Sequence, residues 1–294
     1  MKHKKKVLLL GMAGMAGHVI YKTLTELNKF EVIGTSHREL KNQKEHILLN
    51  VTNFNEVEKT IKELKPDYVI NAVGVLIKGS QSASDNAILI NSYLPHFLER
   101  ICFNQGSKFI HISTDCVFSG NGHGGYKEDS FRDADDVYGR SKALGEINTK
   151  NSVTIRTSII GPELKDNGEG LFHWFMSQDG EINGFTKVYW SGVTTLELAH
   201  GIVTVLKNNI TGIYHLTNNN KISKYDLLCL FKDIWKKEKI QVTKKDNFFK
   251  DKSFINTLHP DFIVSKSYKQ MLIEQYEFMN KYKLDFNYNV RYKI

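Results

Sequence analysis

Three glycines near the start of the chain, Gly11, Gly14 and Gly17, follow a short apolar run at 7–10 and open a helical pattern at 16–27. A tight turn from strand into helix needs a residue without a Cβ. The same turn lets backbone amides approach a pyrophosphate, while the helix start offers unpaired donors and a positive dipole end. A glycine triplet alone is weak, since any turn can use glycine. Between a buried first strand and a helix it predicts a dinucleotide site at Gly11, Gly14, Met15, Ala16 and Gly17.

The same alternation continues. Strands are predicted at 31–35, 47–50, 68–72 and 108–113, and helices at 55–64, stopped by Pro66, and 87–102. Further on come a helix at 138–148, a strand at 153–157, a helix at 194–206 and a strand at 213–216. Repeated strand–helix units, apolar on both faces of the strands, predict an α/β fold: a doubly wound parallel sheet of the Rossmann kind. Residues 161–191 and 221–294 are less regular and rich in aromatics and lysines. The expected division is a cofactor domain at 5–160, rejoined by helix 194–208 and strand 213–216. A smaller C-terminal substrate-binding lobe is expected from 161–193 and 217–294.

The end of the second strand bears on the cofactor. Sites for NAD place an acid there to bond the ribose hydroxyls. This chain reads Ser36-His37-Arg38, with no acid before Glu39. A guanidinium and hydroxyls suit a 2′-phosphate, so NADP(H) is expected, with NAD(H) as the alternative.

Tyr138 and Lys142 lie four apart in a helical stretch and share one face. A free phenol titrates near about 10, and an ammonium beside it is expected to bring it toward the working pH. Lys142 can also hold the nicotinamide ribose. Thr114, at the strand end Ile112-Ser113-Thr114-Asp115, can orient a carbonyl oxygen beside Tyr138. Taken alone, Tyr-x-x-x-Lys is common by chance; its weight comes from the glycine turn and the order along the sheet.

Composition closes off other classes. With 41% hydrophobic and 24% charged residues the chain is neither disordered nor starved of a core. Its three cysteines, Cys102, Cys116 and Cys229, have no metal or disulfide spacing, which suits a reducing, cytoplasmic compartment. The lysines among residues 2–6 before an apolar run imitate a secretory leader, but the glycines break that run early. A net charge of +8 comes with no nucleic-acid module, so solvated lysines explain most of it. No membrane span and no metal site is expected.

These residues together resemble the extended short-chain dehydrogenase/reductases, within them the dTDP-4-dehydrorhamnose reductase-like family of sugar-nucleotide reductases. The carrying stretches are Gly11–Gly17, Asn71-Ala72-Val73-Gly74, Asn91, the run 113–120 (Ser-Thr-Asp-Cys-Val-Phe-Ser-Gly), Tyr126-Lys127-Glu128-Asp129, 138–142 and Arg156-Thr157-Ser158. The resemblance implies hydride transfer to C4 of a nucleotide-linked 4-keto-6-deoxy sugar, in polysaccharide precursor synthesis. Tyr138 would protonate the alkoxide, Thr114 hold the oxygen, and Lys142 tune Tyr138. It further implies that Asn50, Val51, Asn71, Ala72, Val73, Asn91 and Ser113 line the cofactor, with Asn91 also propping the site. Thr114, Asp115, Val117, Phe118, Arg156, Thr157, Ser158 and Trp190 are its implied substrate residues. Two stretches depart from the pattern: Leu49-Asn50-Val51-Thr52 lacks the usual acid, and Val73-Gly74-Val75-Leu76-Ile77 is unusually apolar. The stretch 183–194 looks like the subgroup of UDP-acetamido-sugar pathways, so a 2-acetamido sugar is the other candidate.

A dehydratase would need a glutamate beside Asp115, where this chain has Cys116. A 4-epimerase would hold NAD, against the basic Ser36–Arg38 loop. A non-catalytic NADP-binding regulatory subunit is the rival from another class, and a homodimer the expected partner. His111 and His200 read as satisfied structural histidines and Cys116 as a small buried residue. His173 and Trp174 read as lobe aromatics. Glu128, Asp129, Asp133, Asp135 and Asp136 read as a solvated turn.

Overall fold

The structure, a computed structural model, describes residues 4–39 and 46–294, so Lys2 of the leader-like start lies outside it. The chain divides into two units: Met1–Val117 with Arg132–Arg156 and Ala199–Tyr214, and Phe118–Phe131 with Thr157–Leu198 and His215–Ile294. It passes from one to the other five times.

The first unit is built on strands β1 (Lys5–Leu10), β2 (Phe30–Ser36), β3 (His46–Leu48), β4 (Tyr68–Asn71), β5 (Lys108–Thr114) and β6 (Ser152–Thr157). With Gly212–His215 they form one sheet in the order Gly212–His215, β6, β5, β4, β1, β2, β3. Val7, Leu8, Leu9 and Leu10 are wholly buried. A strand apolar on both faces must be covered twice. Burying each such side chain contributes about 1.5–3 kcal/mol. β1 runs parallel to β2 and β4, and the register sets Leu10 opposite both Thr35 and Asn71. The carboxyl ends of β2, β1 and β4 therefore finish level, at the point where the strand order reverses. Open α/β sheets bind ligands outside that point.

Local chemistry sets the element ends. Helix α1 (Gly17–Glu26) starts at the third glycine. Helix α2 (Phe54–Leu64) is capped by Asn53, whose side chain accepts from the Glu56 amide, and ends on left-handed Lys65 before Pro66. Strand β3 stops short of the expected residue 50, because Asn50 Oδ1 accepts from the Thr52 amide and hydroxyl in a local turn.

The expected helix at 87–102 is instead a relay: short helices Ile77–Ser82 and Ser84–Ala87, a π-helical turn Ile88–Tyr93, and an α-helix Leu94–Gln105. Pro95 has no N–H for the carbonyl four residues back, that of Asn91, and a wider turn relieves the mismatch. The helix expected at 138–148 spans Val137–Leu144, with Asp136 capping the Gly139 amide at 2.8 Å.

In the second unit, Gly180–Phe185 pairs in parallel with Ile240–Lys245, and Val188–Trp190 lies between Ile222–Ser223 and Lys250–Asp251. Helices Leu171–Met176, Lys224–Ile234, Tyr268–Lys281 and Tyr288–Tyr292 complete it. Phe172 packs on Phe231, Trp235 and Tyr292 at 4.7–5.6 Å between ring centroids. Both stretches of the expected lobe fall in this unit, which also takes in Phe118–Phe131.

Candidate active site

The glycine turn is tight. Gly11 adopts φ +86°, and a Cβ on Gly17 would lie 2.0 Å from the Gly11 carbonyl oxygen. The start of α1 therefore packs directly on the end of β1. That helix begins with no side-chain cap and no acid in its first turn, which leaves its positive end for an anion. Gly11, Gly14 and Met15 are partly exposed while Ala16 and Gly17 are buried. His18, which the sequence reading passed over, pins the turn through Nδ1 at 2.8 Å from the Gly14 carbonyl. Burial pushes its pKa down to about 4, so the ring is neutral and Nδ1 must carry the proton.

Beside it, at the end of β2, His37 is exposed and Arg38 half-buried. Ser36 is buried, and its hydroxyl donates to the Arg38 carbonyl within the same loop.

The carboxyl end of β5 and the helix Val137–Leu144 bring Thr114, Tyr138 and Lys142 together. The Thr114 hydroxyl bonds the Tyr138 phenol and contacts Asp115 Oδ1 at 3.2 Å, while its oxygen accepts from the Cys116 amide. Burial, then the neighbouring Cys116, raises the Tyr138 pKa above its ordinary value, and the Thr114 hydrogen bond only opposes this. The direction is contrary to the expected lowering by Lys142. The reason is where that amine points: Nζ donates to the Ile112 carbonyl at 2.7 Å and lies 3.4 Å from His111 Nε2. Burial pushes Lys142 itself down to about 8, with the Glu146 carboxylate pulling the other way.

Several of the implied residues carry internal hydrogen bonds. Asn91 is fully buried in the π-helical turn. Its amide accepts from the Val75 N–H, and donates to the Val75 carbonyl and the Ser141 hydroxyl. Through Ser141 it braces the Tyr138 helix. Asn71 is likewise fully buried, bonded to the Val73 amide and His111. Ser113 gives its hydroxyl to Glu146 at 2.7 Å. Arg156 is 1% exposed and grips Glu146 through Nε at 2.8 Å and Nη2 at 2.6 Å, which turns its guanidinium into the interior. Burial opposes ionisation of Glu146, but Arg156, Ser113 and Arg132 outweigh it and hold the carboxyl below its ordinary range. Glu146 and Arg132 were missed in the sequence. Their only signal is a glutamate eight residues past the tyrosine.

Val117 is fully buried, its carbonyl taken by the Ala134 amide. Within the second unit, Phe118 is buried in a stack on Tyr126 at 4.1 Å. Thr157 donates to the Leu216 carbonyl, and the Ser158 carbonyl accepts from Val193. Trp190 is 5% exposed and packs against Tyr268. Glu128 does not belong to a solvated turn. It is buried, accepts from the Thr257 amide and hydroxyl, and lies 4.0 Å from His215. His173 bonds Tyr292 and the Asp166 carbonyl. Ala72 and Val73, beside the glycine turn, and Val51 are half-buried, and Asn50 is exposed. No described helix is long and apolar enough to cross a membrane.

A doubly wound sheet, a glycine turn at its reversal point, and a threonine, tyrosine and lysine grouped about the end of β5 define a dinucleotide-fold protein of the short-chain reductase type. The chain belongs to the RmlD substrate-binding domain family, whose pattern matches residues 5–251. It is 27% identical over 226 residues to the spore coat polysaccharide biosynthesis protein SpsK of Bacillus subtilis (75% of this chain, 76% of that one). It is also 27% identical over 233 residues to the dTDP-4-dehydrorhamnose reductase of Aggregatibacter actinomycetemcomitans, with the same coverage. Methionine adenosyltransferase 2 subunit beta of Xenopus tropicalis is 24% identical over 243 residues (78% and 72%). Among solved structures, a dTDP-4-dehydrorhamnose reductase of Bacillus anthracis in complex with NADP superposes with a TM-score of 0.79 at 20% identity (94% of this chain, all of that one).

Proposed function

We propose that the chain is an NADP(H)-dependent reductase of the C4 keto group of a nucleoside-diphosphate-linked 4-keto-6-deoxy sugar, acting in the cytoplasm in polysaccharide precursor synthesis. The observation that carries this is that Thr114, at the end of β5, lies against Tyr138, while Lys142 one helical turn on reaches the same strand at Ile112, on the same sheet edge as the glycine turn. The relatives named as sugar-nucleotide reductases support it. The turn and the uncapped start of α1 fit a pyrophosphate, and His37 and Arg38 fit a 2′-phosphate. NADPH, when bound, supplies the hydride. Tyr138 keeps its proton at neutral pH, because burial raises its pKa, and so acts as the acid toward an alkoxide. Thr114 Oγ1 orients that oxygen at the phenol, with Asp115 fixing the hydroxyl. The second unit keeps the substrate-binding role in this proposal.

A second reading, an NADP-binding regulatory subunit, is favoured by the similarity to an adenosyltransferase beta subunit. A turnover screen decides. The chain is mixed with NADPH or NADH and thymidine- or uridine-linked 4-keto-6-deoxy sugars, including 2-acetamido forms, and nicotinamide fluorescence is followed. Oxidation of NADPH with one of them is expected. Tight NADPH binding without oxidation by any of them would favour the subunit reading.

A further inference from the structure

Between Gly11 and Gly17 the chain reads Met12-Ala13-Gly14-Met15-Ala16, with no polar side chain. A turn of glycines and apolar residues has little of its own to hold one shape, because glycine visits many conformations at small cost. It is closed from outside by His18, 2% exposed, in the first turn of α1. The Gly14 carbonyl accepts twice from this residue, from its amide at 3.2 Å and from Nδ1 at 2.8 Å. Both lone pairs of that oxygen are thereby engaged. The Gly14 amide is bonded as well, to the Gly11 carbonyl at 3.0 Å.

That double contact decides where the next amide points. In a planar trans peptide the C=O and the N–H are antiparallel, and no peptide among the described residues is cis. With the Gly14 oxygen drawn toward the helix, the Met15 N–H is turned the opposite way, out past the helix start. The amides of Met15 and Ala16 meet no carbonyl and no side chain among the described residues. Nor does α1 carry a side-chain cap that would compete for them. Met15 itself is partly exposed. An unpaired donor held outward at the positive end of a helix suits an anionic oxygen. Burial keeps the His18 ring neutral, with its pKa down at about 4, so the clamp adds a donor without adding charge.

We infer that His18 is a positioning residue for the cofactor: by holding the Gly14 carbonyl it aims the Met15 N–H at the pyrophosphate. The inference rests on the NADP(H) reading of the glycine turn. It also separates the two anionic parts of that cofactor. The clamp serves the pyrophosphate alone, while the 2′-phosphate is left to His37 and Arg38 at the end of β2.

The test compares two ligands on the whole chain. One is NADPH, followed by nicotinamide fluorescence; the other is adenosine 2′-monophosphate, which has no pyrophosphate and is measured as a competitor. His18→Leu keeps an apolar side chain of similar reach and loses the donor, whereas His18→Asn can place an amide N–H where Nδ1 stands. The leucine variant should bind NADPH roughly tenfold more weakly, the effect of misaiming one hydrogen bond to a charged group. It should bind adenosine 2′-monophosphate as the parent does, and the asparagine variant should recover most of the NADPH affinity. Equal NADPH affinity in parent and leucine variant would overturn the inference. So would an equal loss of both ligands in both variants, which is what a merely structural role predicts. A second measurement needs no change at His18. In chain labelled with nitrogen-15 at methionine, the Met15 amide signal is identified by its loss in Met15→Leu. NADPH should move that signal downfield and adenosine 2′-monophosphate should not; an unmoved signal with NADPH bound sinks the idea even if neither His18 variant folds. A parent that binds no NADPH removes the cofactor reading and this inference with it. NADPH that binds but reduces no sugar removes the reductase reading alone.

Discussion

Tyr138 is half-buried with its phenol held above the ordinary range, so it is protonated throughout neutral pH. An acid in that state loses its function with one oxygen. Tyr138→Phe should lower turnover by about 10²–10⁴-fold while nicotinamide fluorescence still reports NADPH binding. Arg38 is the second residue whose removal has a specific signature. A charge-assisted hydrogen bond is worth about 1.5–3 kcal/mol, so Arg38→Ala should weaken NADPH by roughly tenfold or more while sparing NADH. The ratio of the two dissociation constants is the measurement, and an equal loss for both would remove the 2′-phosphate assignment. Both side chains are nominated by the sequence alone: Tyr138, with Lys142, by spacing read together with the glycine turn, and Arg38 by the missing acid after β2. What spacing could not show is direction: the i to i+4 relation puts Lys142 on the face of Tyr138, but its amine turns to β5, to Ile112 and His111.

At the scale of elements, the buried carboxylate of Glu146 ties three pieces together: the end of β5 through Ser113, β6 through Arg156, and the stretch before the Tyr138 helix through Arg132. Breaking a buried pair by removing one charge costs about 3–5 kcal/mol. Because the folded carboxyl titrates below its ordinary 4.5, its contribution is complete above that value and is lost as the pH falls through the folded one. Glu146→Gln should therefore be destabilised in urea at neutral pH, and the gap to the parent should close on acidification below about 4.5. A gap independent of pH would show that packing, not charge, is what the residue supplies. Arg156 illustrates what sequence could not show. The resemblance implies a substrate contact at Arg-Thr-Ser, and the pairing of the guanidinium with a carboxylate ten residues earlier has no signature in the sequence. The break at the π-helical turn was hidden for a similar reason: the apolar pattern of 87–102 is helical, and a single proline decides which hydrogen bond is dropped.

For the molecule as a whole, the regular half was legible because a buried parallel strand can only be an apolar run, and β1, β2, β4, β5 and β6 all fall where the runs are. The second unit was not. Its strands of two to six residues alternate with aromatics whose burial depends on partners far away in the chain, such as Phe172 with Trp235 and Tyr292. Phe118–Phe131 shows the limit most clearly: it directly follows the active strand in sequence, yet it folds with residues more than a hundred positions later, as Glu128 does with Thr257. The five passages of the chain between units have a consequence for anyone wishing to take the protein apart. No single cut frees either body, and a recombinant exchange of one for a relative's would have to respect all five junctions at once. The two have to be inherited, and engineered, as a single piece.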